Sequence, residues 1–164
     1  MEKHPEKEKN AQPVNIDDKD LLILRLLQQN AKITVREIAA KIHLSTTPVH
    51  ERIKRLEDGG VITQYAALIN PVKVKKGLMV ICYVSLKEHS KKTGARFIKT
   101  IHELNEVLEC YNISGEFDFM LKVVAESMDA YYDFHVNKLG QLENIGHMQS
   151  TFVMGTIKQT HVIV

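Results

Sequence analysis

The stretch TTPVHERIKRLEDGG, residues 46–60, decides how this chain is read. Pro48 falls within its first turn, where a helix tolerates a residue without an N–H. Gly59 and Gly60 stand where a helix closes. At ~100° per residue, Val49, Ile53 and Leu56 share one side, so that side must pack on neighbouring elements. The opposite side carries Thr47, Glu51, Lys54 and Arg55, with His50 at its border and Thr46 near the start.

Two helical patterns precede this one. IDDKDLLILRLLQQN (16–30) opens on acids that complement a helix dipole, and its pairs Leu22/Leu26 and Ile23/Leu27 recur at four-residue spacing. ITVREIAAKI (33–42) has Thr34 as N-cap and Glu37 three residues on, a capping box. Only His43 and Leu44 separate it from Ser45, the N-cap candidate of the third helix. Two helices joined by so short a turn, with a third in front, follow the helix-turn-helix plan. The polar side of the third helix suits groove edges and phosphates, and equally a solvated face. Glu51 and Arg55 are spaced to pair with each other, and Arg52 flanks the apolar stripe, where an internal ion pair is an alternative to a phosphate contact.

Charge does not choose between these readings. The net charge is +2, and divided at Asn70 each part carries eleven Lys/Arg and ten Asp/Glu, so neither is a basic block. No run reaches the ~18 apolar residues of a membrane span. The charged opening, residues 1–13, has no apolar segment and is expected to be a disordered leader. Cys82 and Cys110 lie in apolar runs and are expected as buried free thiols, which suits a reducing cytosol.

VITQYAALIN (61–70) alternates loosely and reads as one or two short strands, a wing or the start of a linker, and VKVKKG (72–77) is a basic connector. From Leu78 the period changes. LMVICYVSL (78–86) reads as a strand, KKTGARFIKTIHEL (91–104) as an amphipathic helix, and VLECYNIS (107–114) and FDFMLKVVA (117–125) as two strands joined at Gly115-Glu116. SMDAYYDFHVNKLGQL (127–142) reads as a helix capped by Ser127, IGHMQSTFVMGTIKQ (145–159) as a last strand, and THVIV (160–164) as a short terminal one. The order βαββαβ is the ferredoxin-like plan. The fold class is therefore α+β: a winged helix-turn-helix domain over 14–64, a linker over 65–77, and a ferredoxin-like domain over 78–164.

The run Ser45-Thr46-Thr47-Pro48-Val49, Glu51-Arg52-Ile53-Lys54-Arg55-Leu56-Glu57, Gly60-Val61-Ile62, Tyr65 and Ile69-Asn70-Pro71, with Ile16-Asp17 and Leu21 to Leu24 before it, resembles the Lrp/AsnC, or feast/famine, family of transcriptional regulators. The resemblance runs from Ile16 to the C-terminus. It implies that the third helix reads double-stranded DNA, with Thr46, Thr47, His50 and Lys54 at base edges and Ser45, Arg52 and Arg55 at phosphates. It implies that the second half is a RAM domain that pairs sheets into a homodimer, and that dimers assemble further, often into octamers. It also implies a small effector, commonly an amino acid, in a cleft between dimers. The residues for that cleft are Ser114, Gly115, Glu116, Phe117 and Asp118 in the turn, with Gln149, Ser150 and Thr151 on the last strand. Gly115 permits positive φ and close approach, backbone amides can receive a carboxylate, and Asp118 can accept from an ammonium. A plain glycine hairpin is the alternative. Phe152 and Met154, if they face the cleft, favour an apolar effector side chain.

Other chemistry finds no footing. The eight histidines show no metal-ligand spacing, no nucleotide-binding glycine motif is present, and Cys110 has no His/Asp arrangement around it. The chain is expected to be no enzyme, to hold no metal or cofactor, and to be cytoplasmic. An architectural DNA binder with weak sequence preference and no effector is the competing expectation.

Overall fold

The computed structural model describes residues 14–164, so the expected leader lies outside the described residues. The described residues form two compact units, residues 14–68 with 158–164, and residues 69–157.

The first unit contains α1 (Asp18–Gln29), α2 (Val35–Ile42) and α3 (Thr46–Asp58). Asp17 caps α1 by accepting from the Asp20 amide, and Thr34 caps α2 by accepting from the Glu37 amide, each within a capping box. These reciprocal bonds satisfy amides that a helix start leaves open. α2 ends at His43 in the left-handed region (φ 56°), and the Leu44 amide bonds back to the Ala39 carbonyl. That one residue turns the chain into α3. The apolar sides of the three helices meet around Ile23, Ile38, Ile42, Val49 and Leu56, all buried, with Ile53 packed against them. After α3, Gly60 takes φ 70°, and the Val61 and Ile62 amides both bond the Leu56 carbonyl. No strand forms over residues 61–70, so of the readings of this stretch the start of a linker fits: alternation marks a strand only where a ladder partner exists, and these residues have none. The Tyr65 hydroxyl instead donates to Glu57 at 2.8 Å, and burial first, then this bond, pushes its pKa up to about 12. The last residues belong to this unit too. The Gln28 side chain donates to the His161 carbonyl and accepts from the Ile163 and Val164 amides. The expected terminal strand over 160–164 is therefore a hydrogen-bonded tail.

The second unit contains β1 (Leu78–Leu86), α4 (Lys91–Ile101), β2 (Val107–Asn112), β3 (Phe119–Ala125), α5 (Met128–Asp133) and β4 (Ile145–Phe152). The strands form one antiparallel sheet in the order β2-β3-β1-β4, the ferredoxin-like arrangement. Val80, Cys82, Val84 and Leu86 from β1, with Leu121 and Val123 from β3, face Phe97 and Ile101 of α4 and Tyr131 of α5 in one core. Ser127 caps α5 as expected, but the helix ends at Asp133. A π turn over Phe134–Lys138 and a 3₁₀ turn over Leu139–Gln141 follow, which lets Phe134 and Leu139 both reach the core. Both cysteines are free; Cys82 is buried, whereas Cys110 is exposed, because β2 is an edge strand.

Leu121 is wholly buried on β3, while Leu108 on β2 is 57% exposed. Leu121→Ala is expected to cost about 2–5 kcal/mol and Leu108→Ala less than about 1 kcal/mol, read from urea denaturation followed by circular dichroism. Equal losses would contradict this placement of the core.

Candidate nucleic-acid interface and effector turn

α3 presents its polar side outward. Ser45, Thr46, Thr47, His50, Glu51, Lys54 and Arg55 are exposed, whereas Val49 and Leu56 are fully buried. Among the described residues the side chains of Thr47, His50 and Lys54 make no hydrogen bond or ion pair, and the expected Glu51–Arg55 pair does not form. Ser45 occupies the N-cap position of α3, but its side chain makes no cap hydrogen bond. The N-cap side chains of α1, α2, α4 and α5, namely Asp17, Thr34, Ser90 and Ser127, each accept one. No acid lies in the first turn of α3 either. Its N-terminal amides and the hydroxyls of Ser45, Thr46 and Thr47 thus remain available to an external anion, at the positive end of a helix dipole.

The two arginines behave otherwise. Arg52 bonds Asp17 at 2.7 Å and Asp20 at 2.8 Å, and Arg55 bonds the other Asp20 oxygen at 2.5 Å. Asp20 is fully buried, and its second oxygen also accepts from the Asp17 amide at 3.0 Å. The carboxylates of Asp20 and then Asp17 push the Arg52 pKa up. The Asp20 amide, followed by Arg52, holds the Asp17 carboxyl below its ordinary value. Arg52 is thus committed to an internal ion pair, the alternative its position beside the apolar stripe allowed. Arg55 keeps 46% of its side chain exposed. The preceding residue, Lys19, donates to the Ile42 carbonyl at 2.8 Å and so closes the C-terminal end of α2. Sequence reading missed both Lys19 and Asp20: an acid in a first turn is accounted for by the dipole alone, and nothing local signals partners 23 residues on for Lys19 or 32 and 35 residues on for Asp20.

In the second unit the turn 114–118 is tied to the end of β1. Asp118 accepts from the Leu86 amide at 2.7 Å, stands 3.1 Å from the His89 ring, and donates its own amide to the Val84 carbonyl. Gly115 has φ 123° and open space where a Cβ would stand. Ser114 and Glu116 flank it, exposed. The Phe117 ring packs 5.4 Å from Tyr83 and 5.8 Å from His147. Gln149 lies opposite Tyr83 and Thr151 opposite Ile81, so both share this sheet face with Phe117. Ser150 does not. It points to the helix side, where its hydroxyl meets that of Tyr131 at 2.6 Å. Phe152 shares that side, edge-on to Tyr131 at 5.4 Å, and Met154 is 98% exposed. Tyr83 and His147 are the additions that sequence reading missed; only the strand register brings them to the turn. A separate cavity of about 270 Å³ lies between α4 and β2, lined by residues that include Ile98, Ile101, Leu108, Cys110 and Phe119, and by none of the expected effector residues.

The two parts of the chain match two known domain types. Residues 16–63 match a winged helix-turn-helix DNA-binding domain, and residues 79–163 match the Lrp/AsnC ligand binding domain. The chain is 35% identical over 164 residues to the leucine-responsive regulatory protein of Haemophilus influenzae, covering 100% of this chain and 99% of that one. It is 32% identical over 145 residues to the DNA-binding transcriptional activator DecR of Escherichia coli, covering 88% and 95%. The crystal structure of a Neisseria meningitidis transcriptional regulator in an L-Met complex superposes with a TM-score of 0.86 at 34% identity, over 90% of this chain and 95% of that one. With both units matched, and a relative aligned along the whole chain, the protein belongs to the Lrp/AsnC family of DNA-binding transcriptional regulators.

Proposed function

We propose that this protein is a cytoplasmic, site-specific regulator that reads double-stranded DNA with α3, acts as a dimer or an assembly of dimers, and answers to an amino acid held at the turn 114–118. It is no enzyme. The observation that carries the DNA reading is the face of α3, exposed, polar and unpartnered at Thr47, His50 and Lys54, with an uncapped N-terminus at Ser45. Thr46, Thr47, His50 and Lys54 meet base edges in the major groove, and Ser45 and Arg55 meet phosphate. Arg52 reaches phosphate only if it leaves Asp17 and Asp20.

The sheet supports dimerisation. β1 is apolar on both faces, yet only one face packs on helices. Ile81, Tyr83 and Met120 on the other face lie outside the core and are half-exposed. A strand apolar on both sides belongs to a sheet covered on both sides, and a second copy supplies the second cover. Paired heads then reach half-sites about one DNA turn apart.

For the effector, the open Gly115 backbone can receive a carboxylate, and Asp118 keeps lone pairs beyond those used by Leu86 and His89 for an ammonium. Gln149 and Thr151 line the same face, with Phe117 as an apolar wall. Ser150 and Phe152 act from behind the sheet and not as direct contacts. The L-Met complex of the Neisseria regulator supports an amino acid as the ligand class.

Two measurements test these readings separately. Lys54→Ala is expected to weaken binding to a duplex selected from a randomised pool by roughly 5- to 150-fold and to change binding to a scrambled duplex far less. If it equals the unaltered protein on both, Lys54 does not touch DNA. If the unaltered protein itself barely prefers the selected duplex, the chain is an architectural binder. Millimolar L-methionine, L-leucine and the remaining amino acids, screened by sedimentation and by footprinting, are expected to shift assembly size or DNA affinity for at least one member, by roughly 5- to 150-fold in affinity. No shift for any would remove the effector and leave the DNA reading intact.

A further inference from the structure

Asp20 is the one charged side chain among the described residues that is fully buried, and it sits on α1, not on the DNA-reading helix. Its two oxygens take two different guanidiniums, Arg52 at 2.8 Å and Arg55 at 2.5 Å, which stand three residues apart on α3. A buried charge is costly unless paired, and replacing such a cluster by apolar residues often leaves a protein equally stable. Stability is therefore a poor reason for this arrangement, and its directional consequence is a better one.

The apolar stripe of Val49, Ile53 and Leu56 holds α3 against the unit, but apolar burial is non-directional and tolerates a small roll of the helix. Two hydrogen-bonded anchors on one fixed carboxylate do not, because rolling α3 lengthens one bond as it shortens the other. The consequence at the DNA is large. A Lys tip about 8 Å from the helix axis moves roughly 1.4 Å for a roll of ~10°, enough to lose a hydrogen bond. Arg55 adds a second effect. With one terminal nitrogen fixed to Asp20 and nearly half of its side chain exposed, the planar fork has N–H groups left over for a further partner.

We propose that Asp20 is a positioning residue for DNA recognition. It fixes the roll of α3 that aims Thr47, His50 and Lys54 at base edges, and it orients the Arg55 fork toward a backbone phosphate. This rests on the reading of α3 given above, and Lys54→Ala serves as the control for that reading.

The test uses full-length Asp20→Asn, a near-isosteric change that removes the charge. Its affinity for the pool-selected duplex and for a scrambled duplex is measured over a salt series, at a temperature where circular dichroism shows the folded spectrum. The expected result is a tenfold or greater fall in the preference for the selected duplex, with the salt slope reduced by about 0.9, the share of one phosphate. A purely structural role lowers the melting temperature and leaves preference and slope where they were, and that result overturns the proposal. If Asp20→Asn does not fold, Arg55→Lys decides. It keeps the cation but loses the planar fork, and it must show the same fall in preference; an unchanged preference overturns the proposal. If Lys54→Ala weakens selected binding while the Asp20 and Arg55 variants do not, this inference alone fails. If none of the three does, the reading of α3 fails with it.

Discussion

A carboxylate removed from water and shared by two guanidiniums is the constraint on which the N-terminal unit depends. α1, α2 and α3 have 12, 8 and 13 residues, lengths at which isolated helices are marginal in water. Their geometry must come from contacts between them. Consecutive residues of α1 supply the directional part: Lys19 closes the end of α2 at the Ile42 carbonyl, and Asp20 holds α3 through Arg52 and Arg55. One turn of one helix therefore sets both arms of the helix-turn-helix. The charges so used are withdrawn in part from the outer face of α3, which leaves there the hydroxyls, His50, Lys54 and the exposed part of Arg55. A nearly balanced charge count is what such a division of labour produces, and it fits recognition by shape and specific hydrogen bonds more than by bulk attraction.

The second unit solves a different problem. Its sheet buries one face under α4 and α5 and leaves the other, with Ile81, Tyr83 and Met120, only half-buried. The turn 114–118 is not a loose hairpin. Asp118 locks it to β1 through the Leu86 amide, and Phe117 rests on Tyr83 and His147. A ligand at Gly115 would then bear on the half-buried face proposed above to pair protomers, through Tyr83, Gln149 and Thr151. Such continuity would give a small molecule differential contact with different assembly states, which any allosteric effect requires.

Much of this was legible in the sequence where local chemistry decides. Thr34 with Glu37, and Ser127, cap the helices they were expected to cap, and β1 spans the residues its apolar run marked. Legibility ended where a distant partner decides. Asp20 reads as a dipole acid until α3 is beside it, and Arg55, spaced to pair with Glu51 on its own helix, pairs instead with this residue of α1. Ser150 illustrates parity: with a period of two, its face depends on where the register starts, and β4 slips at Ser85/Leu86. Cys110 sits in an apolar run, yet only the strand order shows that β2 is an edge. Residues 127–142 keep a helical pattern, but placing both Phe134 and Leu139 in the core needs the wider π turn, which periodicity does not encode.

As proposed above, a buried residue that does not itself meet DNA decides how well others do. A double-mutant cycle on the pool-selected duplex measures this directly, using Asp20→Asn, Lys54→Ala and the pair. Lys54 reaches its base edge only when α3 is held at one roll, so Lys54→Ala should cost at least about fivefold less in the Asp20→Asn background than in the unaltered protein. If the two losses simply multiply, Asp20 and Lys54 act independently, and the buried carboxylate does not aim the helix.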